Sequence, residues 1–290
     1  MAVAPRRSPR RSGSVVQPIK LEALAALVPD GALIALPPDN SAPPNELVRG
    51  LIRTGRRGLR LLGVPVSGYA TDLLIGAGCV ASVQSSGVTL GEAGGAPRFL
   101  AALAAGRITM TDATCPAIHT MLQAAEKGVP FMPLRGIIGS DILKHRPDWK
   151  VFSNPFTQAG EDPIVLVPAL SPDIAIFHGV MADNDGNVFV GRRQELATMA
   201  HAAQRSLVTV ERLIDANLLE DERLASGTIS GVYIEAVAVA EHGAWPIGLL
   251  DEYGADPMHV ANYALMARTD KGFASYLNQY VVRARADAAE

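Results

Sequence analysis

Apolar residues in this chain fall into short runs bounded by turn-forming residues, not into long periodic stretches. Residues 32–36, 59–64 and 79–83 are dominated by Leu, Ile, Val and Ala, flanked by Gly, Pro or Asp, and 130–134 is a further short apolar segment. Runs of this length predict strands buried on both faces, as in a parallel sheet. Between them the spacing turns helical. Leu21, Leu24, Ala25 and Val28 share one face of a helix over 20–28. Asn45 is placed to cap a helix through Ile52. Shorter helices are expected over 71–75 and 97–105. Thr114 caps a longer one, with Pro116 in its first turn and Gly128 just past its end. Further strands are expected at 164–167, 174–177, 188–190, 207–210 and 236–240. A helix is expected over 194–203, and 257–268 and 271–286 form a helical tail. This alternation predicts an α/β protein with a largely parallel sheet and flanking helices. One domain over 18–290, with an insertion-like segment around 145–162, accounts for the pattern. Residues 1–17, rich in Arg, Ser and Pro, read as a disordered tail.

Composition narrows the function classes. The 290 residues are 48% hydrophobic, 19% charged and only 5% aromatic, so the core is aliphatic and a disordered chain is excluded. No apolar run approaches the roughly 18 residues a spanning helix needs. The net charge is −3, although Arg6, Arg7, Arg10 and Arg11 sit in an acid-free leader. The remainder is therefore more acidic still, which argues against a nucleic-acid partner. Cys79 and Cys115 form no Cys-x-x-Cys pair, as expected of a chain in a reducing cytoplasm.

Most familiar chemical signatures are missing. There is no Gly-x-x-x-x-Gly-Lys-Ser/Thr loop and no Gly-x-Ser-x-Gly elbow. Gly76-Ala77-Gly78 fits a loose dinucleotide pattern, but the residues after it favour a strand where that motif needs a helix. Asp183-Asn184-Asp185-Gly186 reads as a turn between strands, since a calcium loop would need an acid at Met181 and a later Glu. The six histidines show no metal-ligand spacing, and His178 reads as a satisfied core group. Two glycine-bearing loops remain as candidate ligand sites: Ser85-Ser86-Gly87 and Gly139-Ser140. Glycine lets backbone approach a ligand, and neighbouring hydroxyls and amides grip a carbonyl or carboxylate.

Several segments, taken in order, carry a resemblance. They are Asp30-Gly31-Ala32-Leu33-Ile34-Ala35-Leu36, Leu74-Ile75-Gly76-Ala77-Gly78-Cys79-Val80, Ser86-Gly87-Val88-Thr89 and Gly106-Arg107-Ile108-Thr109-Met110. Gly128-Val129-Pro130-Phe131-Met132-Pro133, Gly139-Ser140, Asn154-Pro155-Phe156 and the stretch from Asp173 to Asn187 follow. Together they resemble the α (A) subunit of family I coenzyme A transferases, the glutaconate and 3-oxoacid CoA-transferase type. The resemblance implies a Rossmann-like fold and a β subunit as partner. It also implies coenzyme A as substrate, with no bound cofactor or metal. It places the nucleophilic glutamate in the β subunit, so no catalytic nucleophile is assigned here. Ser85, Ser86, Gly87, Gly139 and Ser140 would bind the acyl carbonyl or carboxylate.

One segment departs from the family pattern. Where relatives have a glycine-rich turn, this chain has Pro37-Pro38-Asp39-Asn40-Ser41-Ala42-Pro43-Pro44. Prolines lack the N–H that such a turn offers a ligand. A hydrolytic branch of the family, which opens rings of CoA-linked steroid fragments, carries an acid near the position of Asp112. An N-terminal helix cap is the commoner role for such an acid. Three readings follow: transferase subunit, hydrolase subunit, or a non-catalytic metabolite-binding module on the same scaffold.

Overall fold

The computed structural model describes residues 18–158, 160–249 and 251–282. The Arg-rich leader and the last residues of the expected helical tail lie outside these. In chain order the first half contains α1 (Leu21–Ala26), β1 (Leu33–Leu36), α2 (Asn45–Arg53), β2 (Leu59–Gly63), α3 (Tyr69–Gly76) and β3 (Val80–Ser85). It continues with α4 (Pro97–Ala104), β4 (Thr109–Asp112), α5 (Cys115–Lys127), β5 (Phe131–Leu134), α6 (Ile142–His145) and β6 (Lys150–Ser153). Then come β7 (Pro163–Pro168), β8 (Ile174–Asp183), β9 (Val188–Phe189), α7 (Gln194–Ala202), β10 (Ser206–Ile214), β11 (Thr228–Ile229) and β12 (Ile234–Val239). Helices α8 (Pro257–Met266) and α9 (Asp270–Leu277) precede a π-turn at Asn278–Val282.

Among the described residues, seven strands run parallel in the order β12-β10-β8-β1-β2-β3-β4. Strand order reverses between β1 and β8, the point at which open α/β sheets leave a crevice outside their carboxyl ends. The alternation along each strand sends side chains to opposite cores. Ile34, Leu36, Leu61, Ile174 and Ile176 face α1 to α4 and the C-terminal helices. Ala35, Leu62, Ala175 and Phe177 face α5 and α7. Burial on both faces is why these strands read as continuous apolar runs.

A second sheet, β5-β7-β6, is antiparallel and packs Val165, Val167 and Trp149 into the α5 core. The short apolar segment 130–134 supplies its strand β5 and takes no part in the parallel sheet. The small sheet also gives the insertion-like segment a strand of its own, β6, which the sequence did not announce. The Asp183–Gly186 turn joins β8 to the short antiparallel β9, as expected. Asp183 spends its carboxylate on the backbone N–H groups of Asp185, Asn187 and Leu218.

The expected Thr114 cap holds, while the capping expectations for Asn45 and Asp112 change. Asn45 is already helical and directs its amide to the carbonyl of Ala244 at 2.6 Å, so tertiary contact outcompetes the cap. Asp112 ends β4, and the cap of α5 is Thr114, whose hydroxyl accepts from Ala117 N–H.

Candidate active site

The carboxyl ends of the parallel strands carry most of the unexplained polar side chains. Strand β2 ends at Gly63, where an added Cβ would lie 2.3 Å from Ser67 Oγ and 2.6 Å from Ser85 Oγ. Only glycine lets these two hydroxyls close over the strand end. Ser85 is fully buried, and its hydroxyl donates to the carbonyl of Gly87 at 2.8 Å. Ser86 is half-buried. It donates from both N–H and Oγ to the carbonyl of Pro65, at 3.0 and 2.9 Å. It also accepts from the exposed Cys115 thiol at 3.1 Å. The β2, β3 and β4 ends are thereby knitted at one spot, where α5 begins.

Gly139 and Ser140 lie in a different turn. Gly139 is exposed with φ +80°, and Ser140 folds back to donate to the carbonyl of Ile137 at 2.8 Å. This segment reaches the sheet through Arg146, whose guanidinium donates to the carbonyl of Asp112 at 3.1 Å and stacks 3.9 Å over Trp149. The first loop is therefore a compact unit at the strand ends, and the second is a separate turn whose segment meets the β4 terminus through Arg146. Ser85, enclosed on all sides, shapes the loop; Ser86 and Gly87 are its accessible members.

The loop after β1 holds residues the sequence did not single out. Asp39 takes the N–H of Tyr69, at the start of α3, on both carboxylate oxygens (3.1 and 3.0 Å). An added Cβ at Gly68 would lie 2.2 Å from Asp39 Oδ2, so glycine is required there too. Burial pushes the Asp39 carboxyl up to about 6, and the Tyr69 N–H only partly offsets this. Ser41 hydrogen-bonds Glu195 at the start of α7. Burial lowers the pKa of His119, on the first turns of α5, against the opposing pull of Glu195. Ala42 adopts φ +50°, costly for alanine, while its carbonyl accepts from His178 N–H at 3.0 Å.

Beneath this surface, His178 is fully buried between Thr209 (2.8 Å) and Glu211 (2.6 Å), as the core reading expected. Glu211 also accepts from the N–H groups of His242 and Gly243 and from the Tyr253 hydroxyl. Burial alone would raise its pKa, but His178 and these donors bring it down to about 2. The network ties the paired strands β8 and β10 to the segment after β12. Among the described residues no group of three or more His, Cys, Asp and Glu side chains is placed to hold a metal.

The arrangement suits a ligand with a carbonyl or carboxylate. The Ser85 and Ser86 hydroxyls and the Cys115 thiol converge where β3 ends and α5 begins. Asp39 and His119 are the nearby elements' titratable groups with shifted pKa values.

Comparison with known proteins gives three kinds of likeness. The family model described as coenzyme A transferase matches residues 20–240. The A-type subunit of glutaconate CoA-transferase from Acidaminococcus fermentans is 30% identical over 90% of this chain and 86% of that protein. A cholesterol ring-cleaving hydrolase IpdA subunit from Rhodococcus jostii is 27% identical over 82% of each chain. An uncharacterised protein from Archaeoglobus fulgidus is 29% identical over 81% of this chain, which spans only 52% of that longer protein. Among solved structures, glutaconate coenzyme A-transferase from A. fermentans superposes with a TM-score of 0.82, 26% identity, and coverage of 91% and 88%. The decarboxylase AibA/AibB gives 0.77, 25% identity, and coverage of 92% and 100%.

Proposed function

The chain belongs to the coenzyme A transferase family, and from that premise we propose that it is the A-type subunit of a two-subunit enzyme moving CoA between an acyl-CoA and a carboxylic acid. The observation that carries this reading is the extent of the family match. Residues 20–240 contain all seven parallel strands together with the loops at their carboxyl ends. Ser86 and Gly87, backed by Ser85, border the acyl carbonyl, with Gly139 and Ser140 closing the neighbouring side. A companion β subunit supplies the nucleophilic glutamate. Its carboxylate attacks the thioester carbonyl, the C–S bond breaks, and the CoA thiolate departs from an acyl-glutamyl anhydride. The thiolate then attacks the glutamyl carbonyl, giving an enzyme thioester and releasing the first acid. The second acid reverses these steps. Covalent catalysis of this kind divides one hard exchange into easier ones. The enzyme works in the cytoplasm on soluble substrates.

One observation favours a second reading, hydrolysis of the CoA thioester or of its attached ring. The loop after β1 has prolines where a ligand-facing backbone would need N–H groups, and it holds Asp39 with a pKa near 6, suited to moving a proton at neutral pH. Similarity to a ring-cleaving hydrolase subunit keeps this reading in view.

A single assay separates the two. The chain is co-expressed with its companion and supplied with an acyl-CoA, with and without a carboxylic acid acceptor. Transfer gives a new acyl-CoA only when acceptor is present and releases no free thiol. Hydrolysis or ring opening proceeds without acceptor. Robust transfer by this chain alone sinks the two-subunit reading.

A further inference from the structure

The sheet β5-β7-β6 breaks the usual rule for an antiparallel sheet. One face should enter the core and the other should be polar. The inner face obeys: Val165 and Val167 are fully buried, with Met132 and Leu134 beside them. The outer face is also apolar. Register places Phe131, Pro133, Ile164, Leu166 and Phe152 on it, on the side opposite Val165 and Val167, with Lys150 at its edge. The following loop adds Pro155 and Phe156, and the whole encloses an open groove of about 700 Å³.

Much of this surface is in water. Phe131 is 48% exposed, Phe152 55% and Phe156 93%. At about 150–250 Å² per aromatic side chain, the three rings alone leave on the order of 400 Å² uncovered. Soluble monomers seldom expose more than a few hundred Å² of contiguous apolar surface. One side of a standard protein interface covers about 800 Å², so the rings would supply roughly half of one.

The groove's polar groups decide its occupant. Among the described residues only Arg135 and Asn154 bring polar side chains to it, and both are committed to Asp162 (Arg135 Nε at 3.0 Å, Asn154 Nδ2 at 2.6 Å). The one cation of these two, Arg135, is already neutralised by Asp162, too little charge to hold the phosphates of CoA. An apolar protein segment has no such requirement. We propose that this outer face, centred on Phe131, Phe152 and Phe156, docks the companion subunit. The proposal rests on the two-subunit reading above. It agrees with the Archaeoglobus relative, which carries nearly half its length beyond the part this chain matches. The docking face is also continuous with the site: Arg135 opens the segment that Arg146 ties to the β4 end.

The test uses the companion itself: the chain of the same genome that matches the half of the Archaeoglobus relative left unmatched here. Wild type, Phe156→Asp and the double variant Phe152→Asp/Phe156→Asp are titrated with it by calorimetry. Phe156 is so exposed that its replacement leaves the fold intact, which circular dichroism checks. The expected result is about 100-fold weaker binding for Phe156→Asp, as for a central interface anchor, and no complex for the double variant. If wild type binds and both variants bind within threefold of it, the docking face is wrong while the two-subunit reading stands. If wild type does not bind, the two-subunit reading fails and takes the proposal with it. If the lone chain dimerises through Phe156 while companion binding is unaffected, a second copy is the occupant and the proposal is overturned.

Discussion

Asp39 is held by one backbone N–H in a buried position, and its carboxyl is easier to protonate folded than unfolded. Its pKa is about 6 in the fold against an ordinary 3.8, so stability falls as pH rises through that window and levels off above it. Asp39→Asn removes the penalty of a buried charge. It should raise the melting temperature at pH 8 by about 2–4 °C, equivalent to about 1 kcal/mol, and by less at pH 4. Melting curves at the two pH values check this, and an equal shift at both refutes it. If the hydrolytic reading holds, the same variant abolishes the acid limb of the pH–rate profile. Ser86 belongs to the other loop. Ser86→Phe fills the space beside Cys115, and we expect KM for the acyl-CoA to rise about tenfold with the complex intact. Unchanged kinetics would remove Ser86 from the site. The place of Ser86 and Gly87 just past the end of β3 was legible because a glycine-bearing loop after a strand is a local pattern. Asp39 was not, since the N–H it accepts belongs to Tyr69, thirty residues away.

At the scale of elements, close approach governs the packing of α3. Gly76 ends this helix, and a Cβ there would lie 2.4 Å from Phe273 Cζ on α9 and 2.8 Å from Arg98 Cγ on α4. Gly76→Ala should therefore destabilise the protein by about 1–3 kcal/mol, the range for an overpacked core. A denaturant midpoint lowered at unchanged slope is the expected reading, and an unchanged midpoint would show that Phe273 simply swings aside. The same glycine had looked like part of a dinucleotide loop. Its real role is helix packing, and β3 follows it as the apolar run implied. Periodicity identified α1, α5 and the buried strands because their contacts repeat along the chain. It underestimated β8 and β10, which continue to Asp183 and Ile214. Just past the expected ends lie His178 and Gly179 in β8 and Glu211 and Arg212 in β10, which interrupt the hydrophobic run. The extension comes from mutual pairing over eight registered positions.

At the scale of the whole molecule, Glu211 joins β8, β10 and the segment after β12 through His178, His242, Gly243 and Tyr253. Its pKa is about 2 folded and 4.5 in isolation. It therefore stabilises the fold fully above pH 4.5, and that contribution is lost as pH falls toward 2. Glu211→Gln should cost about 2–3 kcal/mol at neutral pH, as expected when a charged hydrogen-bond acceptor is lost. Its acid unfolding should also be less steep than the wild type's between pH 4.5 and 2. Equal acid profiles for the two proteins would show that Glu211 is not the linked group. The sequence by itself determined the α/β class, the parallel core and the family, because apolar runs, turns and helix ends are local and recur in a readable order. Only the tertiary structure decided which polar residues meet at the strand ends, which carboxyls are buried, and that the small sheet has two apolar faces. Those properties depend on residues far apart in the chain, and neither spacing nor composition records which of them will touch.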